Sequence, residues 1–294
     1  MLKKDKKTIA AEIMDSHSSI FRCPICASPM NVFNLQSLLC ENKHCFDISK
    51  VGYVNLLSHP VTTKYDKRLF DSRKIINQSG FFKPVSVYIS QQISETLEES
   101  NEVKVLDAGC GEGSLLSCIR QILKHETKKD VLGVGLDISK EGITTASKSN
   151  CNSIWCVADL ARCPLADNQF HSIINILAPS NYSEFQRLLA SDGKVIKVVP
   201  EQGYLKELRS LYDKRTGQQT NSSCGARDAF GRYFKVQESQ RLQYTVTLDH
   251  SLIQHLVNMT PLSWGAKAKH IQKVLGMTAM EITIDLTILI GKKH

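Results

Sequence analysis

From Val105 to Leu116 the chain reads VLDAGCGEGSLL. An apolar run ends in Asp107, glycines stand at 109, 111 and 113, and a helix-spaced pattern follows. Glycine lets a backbone turn sharply and approach a ligand closely, and a helix opening behind such a turn presents unpaired N–H groups. The surroundings set the topology. VKVLDAG, DVLGVGLDI, SIWCVADL, FHSIINIL and GKVIKVVP read as strands, with helical SLLSCIRQILKH, SKEGITTASKS (N-cap Ser139) and SNYSEFQRLLAS between several of them. Strand and helix in this rhythm predict parallel pairing through crossovers. After Pro200 the rhythm changes. GYLKELRSLYDK and SLIQHLVNM read as helices, RYFKVQESQRLQYTVTL alternates like a hairpin, and TAMEITIDLTILIGKK reads as a long antiparallel closing strand.

The loop is not the dinucleotide fingerprint, because GxGxxG requires glycine at 114 and Ser114 stands there. An acid two residues before GxGxG resembles motif I of the class I S-adenosylmethionine-dependent methyltransferases. The remaining motifs fall in that family's order. Asp137 ends the second strand, where an acid accepts from ribose hydroxyls. Asp159 follows the third, where a carboxylate faces the adenine amino group. NILAPSN (Asn175 to Asn181) ends the fourth, near the methyl acceptor. Taken singly, Asp137 reads equally well as a helix cap, and Asp159, Asn175 and Pro179 as loop chemistry. In sequence, at the carboxyl ends of successive parallel strands, they predict an α/β class I methyltransferase. Its expected architecture is Rossmann-like, with a mostly parallel seven-stranded sheet.

Ahead of that domain, CPICASPMNVFNLQSLLCENKH places Cys23 and Cys26 two residues apart, then Cys40 and His44. Three thiolates and an imidazole suit one tetrahedral zinc ion, and four protein ligands leave no open position, so the metal is read as structural. Spacing alone leaves Cys45 as an alternative fourth ligand. The short apolar pieces nearby suit a zinc ribbon that owes its fold to the metal.

The 294 residues suggest two domains, and 42% hydrophobic with 22% charged residues is ordinary for a globular chain. Lysine and arginine exceed acids by 37 to 29, a net charge of +8 that leans toward a polyanionic partner. No run of ~18 apolar residues predicts a membrane span, and MLKKDKKTIAAEIMDSHSS lacks the apolar core of a secretion signal. Ten cysteines without such a signal suggest a reducing cytoplasm. The reading divides the chain into a basic extension (1–20), frayed or briefly helical, and a zinc ribbon (21–57). A basic, mobile linker with a helix from Pro84 to Glu99 (58–100) and the methyltransferase domain (101–294) follow.

The zinc motif, FDISKVGYVNLL (Phe46 to Leu57), SGFFKPV, VLDAGCGEG and MTPLSWGA (Met259 to Ala266), in this order, resemble the 23S ribosomal RNA guanine-N1 methyltransferases of the RlmA type. The likeness runs from about Phe21 to the C-terminus; the residues ahead of the zinc motif depart from it. It implies S-adenosylmethionine as methyl donor and a guanine in a hairpin of domain II of 23S rRNA as acceptor, with one structural zinc in a ribbon that aids RNA recognition. It implies Cys23, Cys26, Cys40 and His44 as the ligands, favouring His44 over Cys45. The cofactor-site residues it implies are Phe82, Asp107, Gly109, Gly111, Glu112, Gly113, Asp137, Asp159 and Tyr204. Some members lack an acid at the position of Asp159. A homodimer around one RNA is compatible with this reading.

Guanine N1 is reachable only in an unpaired or extruded base. TTKYDKR and DSRK would then hold phosphates while Phe81 or Phe82 stacks on a base; the alternative places both phenylalanines in the core. Trp264 is read either as packing over the pocket or as core. The sequence names no general base, Asp159 being assigned to adenine. Two rival readings remain: a methyltransferase of small molecules or proteins, and an RNA-binding protein without catalysis. The intact acid–glycine loop opposes the second, and the basic balance and ribbon oppose the first.

Overall fold

The structure, a computed structural model, describes residues 4–95, 102–212 and 222–294. The expected helix from Pro84 therefore ends, as described, at Ser94, and its last turn, the boundary at 100–101 and the end of GYLKELRSLYDK at 213–214 lie outside the described residues.

The glycine loop sits in the middle of one mixed sheet. The parallel strands are β4 (Tyr53–Asn55), β5 (Glu102–Ala108), β6 (Asp130–Asp137), β7 (Ile154–Val157), β8 (Phe170–Ile176) and β9 (Leu189–Pro200). Two antiparallel strands, β10 (Lys235–Asp249) and β11 (Ala279–Lys292), close it. The order across the sheet is β10-β11-β9-β8-β5-β6-β7-β4. The seven strands expected of the methyltransferase fold are joined by an eighth, β4, which arrives from the ribbon and pairs in parallel with β7.

Two apolar layers flank the sheet. One holds α3 (Lys83–Ser94), α4 (Ser114–Thr127), α5 (Lys140–Ser149) and α9 (His250–Met259) through Val85, Ile89, Leu116, Ile119, Ile143 and Ile253. The other places α6 (Tyr182–Leu188) beside the ribbon, so that Cys23, Met30, Leu38 and Cys40 share a core with Leu106, Leu136, Ile154 and Cys156. Local chemistry sets the helix starts: Ser139 accepts from Gly142 N at α5, and Pro84 lies in the first turn of α3.

One segment settles an alternative the sequence left open, and two differ from its reading. The N-terminal extension carries α1 (Lys6–Ser16), capped by Asp5 and buried through Ala10, Ala11 and Met14. Within the expected linker, α2 (Lys67–Gln78) is capped by Asp66 and buries Leu69, Phe70, Ser72 and Ile76. Its apolar stripe is narrow and broken by Ser72 and Arg73, which is why polarity dominates the sequence there. The hairpin expected in RYFKVQESQRLQYTVTL is one continuous strand, β10, which pairs with β11 from Lys235 to Asp249 across a bulge at Gln237; the segment contains no Gly, Asn or Pro to turn it.

Candidate active site and metal centre

The ribbon is a three-stranded antiparallel sheet, β1 (Met30–Phe33), β2 (Ser37–Cys40) and β3 (Cys45–Asp47). Two backbone turns hold the ligand pairs. In the first, Cys23 N donates to Ser28 O and Ala27 N to Cys23 O; in the second, Lys43 N donates to Cys40 O and Cys40 N to His44 O. Ala27 and Lys43 take left-handed backbone angles, φ 60° and 63°, at the tips. The turns bring Cys23, Cys26, Cys40 and His44 together with all donor atoms within 4.8 Å of one another. His44 Nδ1 lies 3.4 Å from Cys23 Sγ and 3.5 Å from Cys40 Sγ, and Cys26 Sγ lies 3.7 Å from Cys40 Sγ. A tetrahedral zinc with bonds of ~2.3 Å to sulfur and ~2.0 Å to nitrogen has edges of about 3.5 Å (S–N) and about 3.8 Å (S–S). The donor set fits that ion. Cys45 is exposed on β3, paired with Leu39, and stands outside the cluster.

A cavity of about 1630 Å³ opens at the carboxyl edge of the parallel strands. Pockets for one small molecule run to ~300–1,000 Å³, so this one has room for a cofactor and a second group. It is walled by the ends of β5 to β9, by α2 and Phe82, and by the segment from Met259 to Leu262. Phe82, Asp107, Gly109, Glu112, Asp137, Asp159 and Tyr204 all line it. Gly111 and Gly113 do not. Gly111 passes beneath α2, where an added Cβ would meet Arg73 and Phe70, and Gly113 starts α4 with φ +76°, its would-be Cβ 2.4 Å from the Trp155 ring.

The acids are bound into the loop. Asp137 accepts from Gly111 N and Ser139 N, both at 2.8 Å, and Glu112 accepts from Asn77 Nδ2 at 2.6 Å and from Ser114. Burial, then the charges of Asp137 and Glu112, push the Asp107 carboxyl well above its ordinary value. Burial also raises Glu112 and Asp137, partly offset by their hydrogen bonds. Asn77 Oδ1 is buried without a partner among the described residues. Three crowded carboxyls and an orphaned acceptor suit a ligand bearing positive charge and N–H donors. S-adenosylmethionine, with its ammonium and sulfonium, has that chemistry. Asp159 accepts from Ala161 N at 2.8 Å and so caps a short turn while facing the cavity.

Opposite the acids, the NILAPSN turn is pinned by Asn175. Its Nδ2 donates to Ala108 O (2.5 Å) and Pro179 O (3.0 Å), and its Oδ1 accepts from Ser180 Oγ and Lys197 Nζ. Leu177 is held there at φ 51°, a conformation costly for a branched residue. The Tyr204 segment is tied by Asp285, which accepts from Gly203 N at 3.0 Å and forms two 2.8 Å bonds with Arg241.

The aromatic expectations divide. Phe81 is wholly buried and Phe82 nearly so, edge to face with centroids 4.9 Å apart; the core alternative holds, with Phe82 also reaching the cavity wall. The exposed rings are elsewhere. Tyr65 and Trp264, 38% and 41% exposed, lie 5.5 Å apart, and Tyr65 lines the cavity mouth. Trp264 ends a 3-10 turn at Pro261–Ser263 and is not in a core helix. Arg73, Asn77 and Lys197 also line the cavity. None was legible as a site residue, although a lysine inside apolar GKVIKVVP is a signal in itself.

Residues 21–67 match the family model described as "RlmA, N-terminal", a zinc ribbon, and residues 105–198 match that of a methyltransferase domain. Over 277 residues, 94% of this chain and 98% of the relative, it is 42% identical to YxjB of Bacillus subtilis (strain 168), which bears the name of a 23S rRNA (guanine-N1-)-methyltransferase. Over 279 residues, 91% of this chain and 95% of the relative, it is 28% identical to the 23S rRNA (guanine(748)-N(1))-methyltransferase of Streptomyces fradiae. With both the ribbon and the glycine-loop cavity in place, the chain belongs to the RlmA-type family of 23S rRNA (guanine-N1-)-methyltransferases.

Proposed function

We propose that the protein transfers a methyl group from S-adenosylmethionine to N1 of a guanine in a hairpin of domain II of 23S rRNA, working in the cytoplasm. The observation that supports this most directly is one continuous cavity running from the acid–glycine loop to the exposed Tyr65. It is deep enough for a cofactor and open at an aromatic rim. Among the described residues no helix is long and apolar enough to cross a membrane.

Bound S-adenosylmethionine supplies an electrophilic methyl on a sulfonium. The chain's own work is placement, which brings two reactants into line. In this reading Gly109 lets the backbone approach the donor's amino-acid end. Asp107, Glu112 and Asp137 face its positive charges and ribose, Asp159 its adenine, and Phe82 and Tyr204 pack beside it. Asn175 braces the turn against which the acceptor base would rest. Tyr65 and Trp264 stack the extruded base or its neighbour. Exposed Lys64, Lys67, Arg68, Lys267 and Lys269, adjacent in sequence to those rings, take the phosphates. Cys23, Cys26, Cys40 and His44 hold one zinc that shapes the ribbon for RNA.

The test is incubation of the protein with labelled S-adenosylmethionine and unmodified 23S rRNA, followed by nucleoside analysis and mapping. N1-methylguanosine confined to one hairpin is the expected product. Label on another nucleobase, or only on a small molecule or protein, would overturn the proposal.

A further inference from the structure

Lys197 lies in β9 between Ile196 and Val198, its register partner on β8 is Asn175, and it is only 6% exposed. Its Nζ donates to Asn175 Oδ1 and to Ala178 O, each at 2.5 Å. Both acceptors are neutral. A lysine nitrogen has four tetrahedral positions. One is the stem and two carry these bonds, which leaves the last for the cavity that Lys197 lines. In the ammonium that position holds a proton; in the amine it holds the lone pair. Asn175 has no such freedom, since both its N–H groups and its oxygen are engaged within the protein.

The charged groups sharing the cavity are Asp107, Glu112, Asp137 and Asp159 at the ends of β5 to β7, and Glu201 and Arg209 after β9. Arg241 on β10 and Arg73 on α2 complete the set. Lys197 bonds to none of them among the described residues. Burial without a compensating carboxylate lowers its amine to about 8, so about a tenth is unprotonated at neutral pH.

We propose that Lys197 is the general base that takes the N1 proton of the acceptor guanine, a role that rests on the guanine-N1 reading above. Guanine N1 carries a hydrogen and becomes nucleophilic as that hydrogen leaves. The N1–carbon bond forms while the donor's sulfur–methyl bond breaks, and that bond's electron pair stays on sulfur as a neutral thioether. The N1–H electron pair stays with the ring and the proton passes to Nζ. The positive charge lost by the sulfonium reappears on the ammonium, so the cavity's net charge is unchanged.

The test compares wild type with Lys197→Arg, which keeps donors but holds its proton, and with Lys197→Met in case arginine distorts the turn. Single-turnover methylation of a 23S rRNA hairpin is followed across pH, S-adenosylmethionine affinity is measured by calorimetry, and the lysine amine is titrated by NMR in the cofactor-free protein. The expected wild-type rate rises through an inflection near 8, and the NMR midpoint matches it. The variants are slower by ~100-fold or more at neutral pH, and the gap closes at alkaline pH, where guanine N1 ionises unaided. Their donor affinity stays near that of wild type. A rate deficit equal at every pH, or an NMR midpoint at the ordinary lysine value, would overturn the assignment and leave a positioning role. Wild type that forms no N1-methylguanosine would instead overturn the functional reading, and the base assignment with it.

Discussion

Gly109 allows a worked energetic test of the site. Its φ is +88°, and a Cβ added there would lie 2.6 Å from Ala178 Cβ, across the gap between the glycine loop and the NILAPSN turn. Carbon pairs rest ~3.5–4.0 Å apart, so Gly109→Ala forces the two loops about 1 Å closer than contact allows. The turn has little room to retreat, because Lys197 holds Ala178 O and Asn175 holds Pro179 O. A left-handed backbone costs a residue with a Cβ ~1–2 kcal/mol, and forcing an extra methyl into a packed site costs ~1–3 kcal/mol. Gly109→Ala should therefore destabilise by roughly 2–5 kcal/mol. The two parts separate in a double-mutant cycle, since Ala178→Gly removes the methyl being struck and leaves the backbone strain. Urea unfolding of the four proteins in excess zinc, followed by the fluorescence of buried Trp155, should show a favourable coupling of ~1–3 kcal/mol in the double variant. A coupling below about 0.5 kcal/mol is the additivity expected of independent sites and would refute the claim that these loops meet at Gly109.

Because Asp107, Glu112 and Asp137 have folded values above their ordinary ones, the folded cofactor-free protein holds protons the unfolded chain has lost. Its stability should fall as pH rises from the ordinary carboxylate range through the raised values. A cationic donor favours the ionised carboxyls, so calorimetry in buffers of different ionisation enthalpy should show protons released on S-adenosylmethionine binding; proton uptake contradicts the placement of the donor's charges. Cys26→Ser should lose zinc by elemental analysis while Cys45→Ser keeps it, and zinc loss should speed amide exchange in Ile154–Val157, which β4 covers. Trp264→Ala should weaken rRNA hairpin binding by ~5- to 150-fold, the value of one or so stacked bases, without changing donor affinity; equal losses in both would refute a stacking role on RNA.

Legibility followed how local each signal was. The parallel strands were readable because burial on both faces makes them apolar throughout, as in Val131–Leu136. The glycine loop was readable because positive φ demands glycine. The ribbon was readable because Cys23, Cys26, Cys40 and His44, ligand types that structural zinc favours, stand at turn spacing. What escaped depended on distant partners. α2 looks polar in isolation, and only contact with α9 and the glycine loop turns Arg73 and Asn77 into cavity wall. The YVNLL piece reads as a short strand of the ribbon, and its parallel pairing with β7 escaped because three residues carry no sign of their partner. Lys197 lies in a readable strand, but its surroundings come from β8 and the turn beyond, 22 and 19 residues earlier.

The same distant contacts argue against treating the ribbon as a detachable tether. β4 extends the methyltransferase sheet, Leu56 N donates to Val157 O, and Arg22 pairs with Asp167 at 2.8 Å beyond β7. Cys23 and Cys40 pack in the same apolar layer as Cys156 and Leu136. A small metal-dependent fold gains its stability when the ion binds, and here part of that stability is spent on the sheet edge that ends, two residues after Val157, in Asp159. The carboxylate read as facing the adenine thus hangs from a strand whose outer neighbour is ordered by zinc. An ion with no open coordination position performs no chemistry, yet its ligands share an apolar layer with the strands that β4 and β7 join to the cavity edge at Asp159.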